Sequence, residues 1–143
     1  MAWFCVCILG NLSTHSCLLD ARWNVRITDY EYNQISRTNK TPAYKRRMHF
    51  DDYDNIPSHE EVARRNLWVA PELLYDTTAQ PTKESDMYSL ALVVMEVFDR
   101  QEIFHEQLRE NDPSIMVILI VNNDFKPQFS DNVPRNIRHI MYT

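Results

Sequence analysis

Two neighbouring stretches of the chain, LWVAPELL at residues 67–74 and SDMYS at residues 85–89, decide its fold. The second stretch opens the most strongly patterned segment, residues 86–100, whose apolar residues would cover almost every side of a helix. A helix of that kind is expected to lie inside a domain. Ser85 or Asp86 is expected to be its N-cap, because short polar side chains accept hydrogen bonds from the free backbone N–H groups at a helix start.

Helical patterns flank this segment on both sides. Ser58 and Glu61 have the S-x-x-E spacing of a capping box, which predicts a helical turn before the first stretch. Further along the chain, Pro113 occupies a position that suits the first turn of a helix, and residues 115–121 would form its apolar face. Residues 135–142 predict a last helix.

A β-hairpin is predicted nearer the amino terminus. Residues 17–20 and residues 23–29 are both β-prone, and a turn is expected near residues 20–22. In the second run apolar side chains alternate strictly, which would place three of them on one face: Trp23, Val25 and Ile27. The expected fold class is therefore mainly α with a small β-hairpin.

The composition excludes several classes of function. The 143 residues are 44% apolar and 24% charged, as expected for one soluble globular domain. The chain contains a single glycine, Gly10, so it can form neither of the glycine-rich loops that hold nucleotide phosphates. Its formal net charge of -5 disfavours a nucleic-acid partner.

The cysteine positions and the lengths of the apolar runs indicate the type of cellular compartment. Cys5, Cys7 and Cys17 are an odd number near one end of the chain, which indicates a reducing compartment rather than a disulfide framework. Together with His15 they offer zinc-ligand chemistry, but their spacing is not that of a zinc knuckle, and small buried hydrophobic residues are the favoured interpretation. No apolar run is long enough to span a bilayer, so neither a transmembrane segment nor membrane contact is expected.

Five stretches, in order and spacing, resemble the C-terminal lobe of a protein kinase. They are LGNL at residues 9–12, SCLLD at residues 16–20, VRITDYE at residues 25–31 and the two stretches quoted first. The pattern is most similar to the kinase-homology domain of receptor guanylyl cyclases, which has HGNL in place of the HRDL of active kinases and for which LWxAPELL is typical. The resemblance implies a partial kinase-like domain over residues 1–143 that lacks the N-terminal lobe.

By the same resemblance, residues 30–69 correspond to an activation segment. Residues 30–55 are polar and carry a basic cluster at residues 45–47, which is expected to be a solvated loop face, with contact to a phosphate or an acidic partner as the alternative. This stretch is expected to be the most mobile part of the chain. Five residues in it are candidate phosphorylation sites for other kinases: Tyr32, Thr38, Thr41, Tyr44 and Tyr53.

The resemblance also assigns the residues that would carry catalysis in an active relative. Asn11 occupies the position of the catalytic aspartate, and Ser16 occupies that of the asparagine that binds the second metal ion. Asp29 remains as a metal-ligand position, but Glu31 replaces the glycine that should follow two residues later. For Asn11 and Ser16 the competing interpretation is a polar turn residue, and for Asp29 a turn acceptor.

The motif residues Ala70, Pro71, Glu72 and Asp86 are expected to be structural. In kinases the residue at the position of Asp86 also hydrogen-bonds to the backbone of the catalytic loop. Glu72 corresponds to a kinase glutamate that forms a buried ion pair with an arginine, and that arginine lies beyond the end of this chain. Glu72 is therefore expected to be a buried carboxylate without its partner, and the domain is expected to be aggregation-prone or oligomeric.

The sequence thus predicts a catalytically silent pseudokinase segment with a regulatory or protein-interaction role. Its parent would be a receptor guanylyl cyclase at the plasma membrane, with this segment on the cytoplasmic side. No cofactor is expected for this chain, although the wider family uses ATP and Mg²⁺; the expected partner is a protein or a second copy. Two alternatives remain: a divergent active kinase, and a truncated gene product without independent function.

Overall fold

The computed structural model describes residues 8–10, 12–28, 58–76, 78–122, 125 and 127–141. Within these residues the protein is mainly helical with one two-stranded antiparallel sheet, which confirms the predicted fold class. A 3₁₀ turn (Thr14–Ser16) precedes the strands. The elements are β1 (Cys17–Leu19), β2 (Val25–Ile27), α1 (His59–Asn66), α2 (Pro71–Tyr75), α3 (Lys83–Asp99), α4 (Gln107–Glu110), α5 (Pro113–Val121) and α6 (Arg135–Met141).

Helix α3 begins earlier than predicted. Its N-cap is Thr82, whose hydroxyl accepts a hydrogen bond from the backbone N–H of Ser85 at 3.2 Å. The Ser85 hydroxyl in turn accepts from the backbone N–H of Thr82 at 2.9 Å, so the two residues form a capping box. The expectation that Ser85 or Asp86 caps the helix is therefore wrong, and the Asp86 carboxylate is released for another role.

In the part of the chain that the structure describes, one side of α3 is buried. Ser85, Ser89, Leu92 and Val93 face the interior at the spacing of a helical stripe. On the other side, three apolar residues are exposed: Met87, Leu90 and Val97. The prediction that α3 lies wholly inside the domain is thus wrong, because the packed elements cover a single stripe of it.

The core forms where α5 crosses the segment that carries LWVAPELL. Helix α5 contacts α1, α2 and α4. Its Met116 and Ile120 are almost completely buried against Leu67 and Trp68, and Leu92 of α3 joins the same cluster. These residues exclude water from one another, and this burial is the main source of stability that the fold offers.

The predicted helix starts of α1 and α5 are confirmed. The Ser58 hydroxyl accepts from the backbone N–H of Glu61 at 3.2 Å, and the Glu61 carboxylate accepts from the backbone N–H of Ser58 at 2.8 Å. At α5, the Asp112 side chain is the N-cap and Pro113 follows in the first turn. The predicted last helix is also present as α6.

The hairpin has the predicted strands but differs in its turn. Cys17 pairs with Ile27 and Leu19 with Val25, and the Asp20 carboxylate accepts hydrogen bonds from backbone N–H groups in the turn. Trp23 does not continue the strand, because it lies in the turn with a φ of 63° and is 82% exposed. The predicted alternating face therefore holds for the two strand residues and not for Trp23.

Among the described residues that follow α3, two non-glycine residues also have left-handed backbone. Arg100, which ends α3, has a φ of 53°, and Phe104 has a φ of 56°.

The loop predicted over residues 30–55 lies outside the described residues. Among the described residues, no helix combines the length and the apolar character needed to cross a membrane.

We expect Thr82→Ala to lower the free energy of unfolding by about 1 kcal/mol, because it removes the side-chain acceptor of the α3 capping box. Urea denaturation followed by circular dichroism measures the change. Lys83→Ala is the matched control, since Lys83 is exposed at the next position and its truncation should change stability by less than about 0.5 kcal/mol. Equal effects of the two substitutions would show that the cap does not hold the helix start.

Candidate functional site

The carboxylate of Asp86 holds the backbone at Leu9 and Gly10. Its Oδ2 accepts a hydrogen bond from the Leu9 N–H at 2.7 Å, and its Oδ1 accepts one from the Gly10 N–H at the same distance. Both bonds are short, as expected where the acceptor is ionised. Gly10 has a φ of 66°, a conformation that the only glycine of the chain adopts without a steric penalty. One side chain of α3 therefore fixes a turn that lies 76 residues earlier in the sequence.

The turn that follows Gly10 is fixed by Ser16. Its hydroxyl donates to the Ser13 carbonyl at 2.9 Å and accepts from the Ser13 N–H at 3.0 Å. The Ser16 carbonyl accepts from the Thr28 N–H at 2.8 Å, which joins the turn to the end of β2. Ser16 is buried, and its hydroxyl serves the local backbone, as in the interpretation of Ser16 as a turn residue.

Other predicted site residues lie outside the described residues. These are Asn11, Asp29, Cys5, Cys7, the basic cluster at residues 45–47 and the candidate phosphorylation sites. Within the described part of the chain, no group of three or more metal-ligating side chains is close enough to hold a metal ion. Cys17 is a free thiol, and burial raises its pKa.

A cleft opens beside the Gly10–Ser16 turn, with a cavity volume of about 440 Å³. The turn forms one wall, and Arg64 and Arg65 of α1 line another. Val69, Leu73, Glu102 and the first two turns of α3 also line the cleft. Volumes of this order are typical of ligand-binding pockets in proteins.

Trp68 is the structural centre beneath this cleft, and the sequence did not single it out. Its indole Nε1–H donates to Glu96 Oε2 at 3.3 Å, and Glu96 Oε1 accepts from the backbone N–H of Ile103 at 3.0 Å. The Ser89 hydroxyl donates to the Trp68 carbonyl at 2.8 Å. The ring of His15 meets the indole edge-on with the ring centroids 5.2 Å apart. The signal that could have revealed this network is the Ser85–Ser89 pair, which is polar on the inner stripe of an otherwise apolar helix.

Arg64 is held by two carboxylates at the cleft. Its Nε lies 3.3 Å from Glu60 Oε1, and one of its terminal nitrogens lies 2.8 Å from Glu102 Oε1. The hydrogen bond to Glu60 is the main cause that raises the pKa of Arg64, and Glu102 adds to it. Such exposed pairs contribute little stability, but here they fix where the guanidinium points.

Glu72 differs from its prediction. Ala70 is buried and caps α2 through its backbone, and Pro71 occupies the first turn, but the Glu72 side chain is exposed. The expectation of a buried carboxylate without a partner is wrong, because the first turn of α2 presents Glu72 to solvent. Exposed charge carries no large desolvation cost.

The unsatisfied group in this region is the hydroxyl of Tyr88. The half-buried side chain packs against the core, and its oxygen is shielded from solvent with no hydrogen-bond partner among the described residues. Burial raises the pKa of Tyr88 to about 12, and the negative charge of Glu72 adds to the shift. The buried polar group without a partner among the described residues is therefore the Tyr88 hydroxyl and not the Glu72 carboxylate.

A comparison with known protein families matches residues 5–143 to the family of protein tyrosine and serine/threonine kinases. The chain belongs to that family. Among its kinase-family relatives is the speract receptor of Strongylocentrotus purpuratus, which is 36% identical over 100 residues, or 68% of this chain. The receptor-type guanylate cyclase gcy-28 of Caenorhabditis elegans is 30% identical over 132 residues, or 87% of the chain.

A third relative is the atrial natriuretic peptide receptor 2 of Anguilla japonica, which is 30% identical over 122 residues, or 84% of the chain. The matched part of this kinase-family chain spans only 8% to 10% of the length of these three relatives. The family match and these relatives confirm the resemblance to the kinase-homology region of receptor guanylyl cyclases. They also confirm a fold like that of a kinase C-terminal lobe.

We expect Asp86→Ala to lower the free energy of unfolding by about 3 kcal/mol, because two partly buried N–H groups lose an ionised acceptor. Hydrogen exchange measured by NMR should show loss of protection at the Leu9 and Gly10 amides. Glu110→Ala, which removes an exposed carboxylate from α4, is the control and should leave both amides protected. Retained protection in Asp86→Ala would contradict the assignment of this contact as the anchor of the turn.

Tyr88→Phe should not destabilise the protein, and a gain of up to about 1 kcal/mol is expected, because the hydroxyl is buried without a partner. The pKa of Tyr88 is higher in the folded than in the unfolded chain, so its neutral form favours folding below pH 10, and this advantage disappears as the pH rises towards 12. Thermal melts at pH 8 and above should therefore show a steeper loss of stability in the wild type than in Tyr88→Phe. Parallel pH profiles of the two proteins would contradict this account.

Proposed function

We propose that this chain is a catalytically silent, kinase-like segment that regulates a partner domain or binds a protein. The proposal takes as its parent a receptor guanylyl cyclase that signals through cyclic GMP, with this segment on the cytoplasmic side of the plasma membrane. The names of the relatives support this choice, since they include receptors and a receptor-type guanylate cyclase. Binding of nucleic acid and contact with the membrane by this segment itself are not expected.

The observation that carries the proposal is the amide at position 11. Phosphoryl transfer in protein kinases uses a carboxylate to orient the acceptor hydroxyl and take its proton. Asn11 follows the anchored Gly10 in the chain and offers a neutral carboxamide, which is not a base at physiological pH. The contacts of Asp86 with Leu9 and Gly10 support a backbone that is held in place without the chemistry of a base.

Two further features support weak or absent nucleotide binding. Ser16 occupies the position of the second metal ligand, and its hydroxyl forms hydrogen bonds with the backbone N–H and carbonyl of Ser13. Asp29 alone would then have to hold a metal-bound phosphate, without a glycine-rich loop or a lysine to share the charge. We therefore infer that the chain uses no ATP or Mg²⁺ and that its role rests on contacts with a protein.

Neither the wild type nor Asn11→Asp is expected to transfer phosphate, because the base is only one of several groups that phosphoryl transfer requires. Radiolabelled phosphate transfer from ATP to a generic protein substrate tests both, with an active kinase as the positive control. Measurable turnover in either protein would favour the alternative, a divergent active kinase.

A thermal-shift titration with ATP and Mg²⁺ or Mn²⁺ is the companion measurement. Specific binding to the folded chain would raise its melting temperature in a saturable way. No saturable rise at sub-millimolar nucleotide is expected. A rise in the wild type without any phosphate transfer would refute the inference about nucleotides and leave catalytic silence standing.

A further inference from the structure

A carboxylate at the end of α3 holds the turn that leads into α6. Asp99, the last residue of α3, accepts a hydrogen bond at Oδ1 from the Ser130 hydroxyl and another from the Asn132 side-chain amide at 3.2 Å. The backbone N–H of Asn132 donates to the Ser130 hydroxyl oxygen, also at 3.2 Å. Ser130 therefore joins the end of α3 to a turn that lies 31 residues further along the sequence.

Residues 130–141, which we call the strap, have few other contacts with the rest of the described structure. Val133 is completely buried, and its N–H donates to the Ser130 carbonyl at 3.2 Å. No described side chain of α6 is buried, and α6 packs extensively against no described helix or strand. The ion pair of Arg138 is with Asp131 of the strap itself. Segments with so few buried contacts open locally at a low cost in free energy, so the attachment of the strap depends strongly on Asp99.

The Ser130 hydroxyl is the point at which a change of charge acts most directly on this attachment. The hydroxyls of Ser85 and Ser89 donate to neutral backbone carbonyls, whereas that of Ser130 donates to a carboxylate of another element. A phosphate on the Ser130 oxygen would carry about two negative charges at pH 7 and would replace the hydroxyl hydrogen. Attraction between Ser130 and Asp99 would then become repulsion.

The surroundings of Ser130 allow an enzyme to reach it. Asp131 and Asn132, which follow it, are exposed. Pro127 and Pro134 flank the stretch and favour extended backbone before each of them. Local opening of the strap then makes the half-buried hydroxyl accessible.

We propose that Ser130 is a phosphorylation site for another protein kinase and that the phosphate releases the strap from α3. In this step a bond forms between Ser130 Oγ and the γ-phosphorus of a nucleoside triphosphate, and the bond from that phosphorus to the β-phosphate oxygen breaks. The diphosphate leaves, and the hydroxyl proton passes to the base of the modifying kinase. Repulsion from Asp99 then frees Val133 and α6. This switch does not depend on whether the chain is itself catalytically silent.

Hydrogen exchange measured by NMR tests the release, using the full chain with phosphoserine incorporated at position 130 during translation. The probes are the amides of Val133, Ile137 and Arg138, which form hydrogen bonds within the strap, and the amide of Met116 in α5, which reports on the core. The strap amides should exchange at least about tenfold faster in the phosphorylated chain, since a hydrogen bond to a charged group is lost. Exchange at Met116 should not change. Equal acceleration at all four amides, or none, overturns the release.

Charge variants separate repulsion from simple loss of the hydrogen bond. Ser130→Ala removes the hydroxyl, whereas Ser130→Glu also adds negative charge, so the strap amides should exchange faster in Ser130→Glu. Adding Asp99→Asn to Ser130→Glu removes the repulsion and should slow exchange towards the rates of Ser130→Ala. Equal rates in Ser130→Ala and Ser130→Glu would show that charge does not operate the switch.

Thr78→Glu is the matched control for these variants. The Thr78 hydroxyl also donates to an aspartate, Asp76, but both residues are exposed and lie in the same turn. The added charge therefore disturbs no contact between distant elements, and the strap amides should exchange as in the wild type. Accelerated exchange in Thr78→Glu would show that added charge acts without the Asp99 contact, and would overturn the switch.

Mass spectrometry tests the modification itself. The full chain is expressed in cultured animal cells with and without a phosphatase inhibitor. The peptide that contains Ser130 should carry phosphate in a fraction that rises with the inhibitor, and Ser130→Ala should remove this phosphopeptide. Detection of the wild-type peptide only in its unmodified form would overturn Ser130 as a phosphorylation site.

Discussion

One carboxylate joins two parts of the described structure that are far apart in the sequence. Asp86 lies in the first turn of α3 and accepts hydrogen bonds from the backbone N–H groups of Leu9 and Gly10, so the backbone at these two residues depends on the helix for its position. The capping box of Thr82 and Ser85 makes this possible, because it satisfies the helix start with other side chains. If Asp86 were itself the N-cap, its carboxylate would accept hydrogen bonds from N–H groups of the helix and not from those of Leu9 and Gly10.

The same helix organises the opposite side of the site through Trp68. Ser89 and Glu96 bind the carbonyl and the indole of that residue, and Glu96 also binds the backbone at Ile103. Polar groups buried in a core stabilise it only when they are satisfied, and each of these contacts satisfies one. Together with those of Asp86, these contacts hold the described backbone at Leu9, Gly10, Trp68 and Ile103. Under the catalytically silent role proposed above, this arrangement serves binding to a partner.

The local features of the fold could be predicted from sequence, because they depend on residues close together in the chain. The Ser58–Glu61 capping box, Pro113 in the first turn of α5 and the hairpin strands belong to this group. The sequence predicts too late a start for α3, because Thr82 lies before the apolar run from which the helix is predicted. The contact of Asp86 with the turn is predicted only by the family resemblance, since no periodic pattern connects residues 77 positions apart. The exposure of Glu72 and the network around Trp68 depend on how the helices pack, which no local pattern encodes.

The scarcity of glycine has a consequence for the chain as an engineering scaffold. Trp23, Arg100 and Phe104 adopt left-handed backbone that glycine would adopt freely, and each such residue costs about 1 kcal/mol or more. Natural proteins commonly leave stability of this kind unused. Arg100 is the most accessible place to recover it, because it is exposed at the end of α3 and a glycine there would relieve the backbone without opening the core. Glycine substitution at such turn residues is thus a way to raise the melting temperature of this chain.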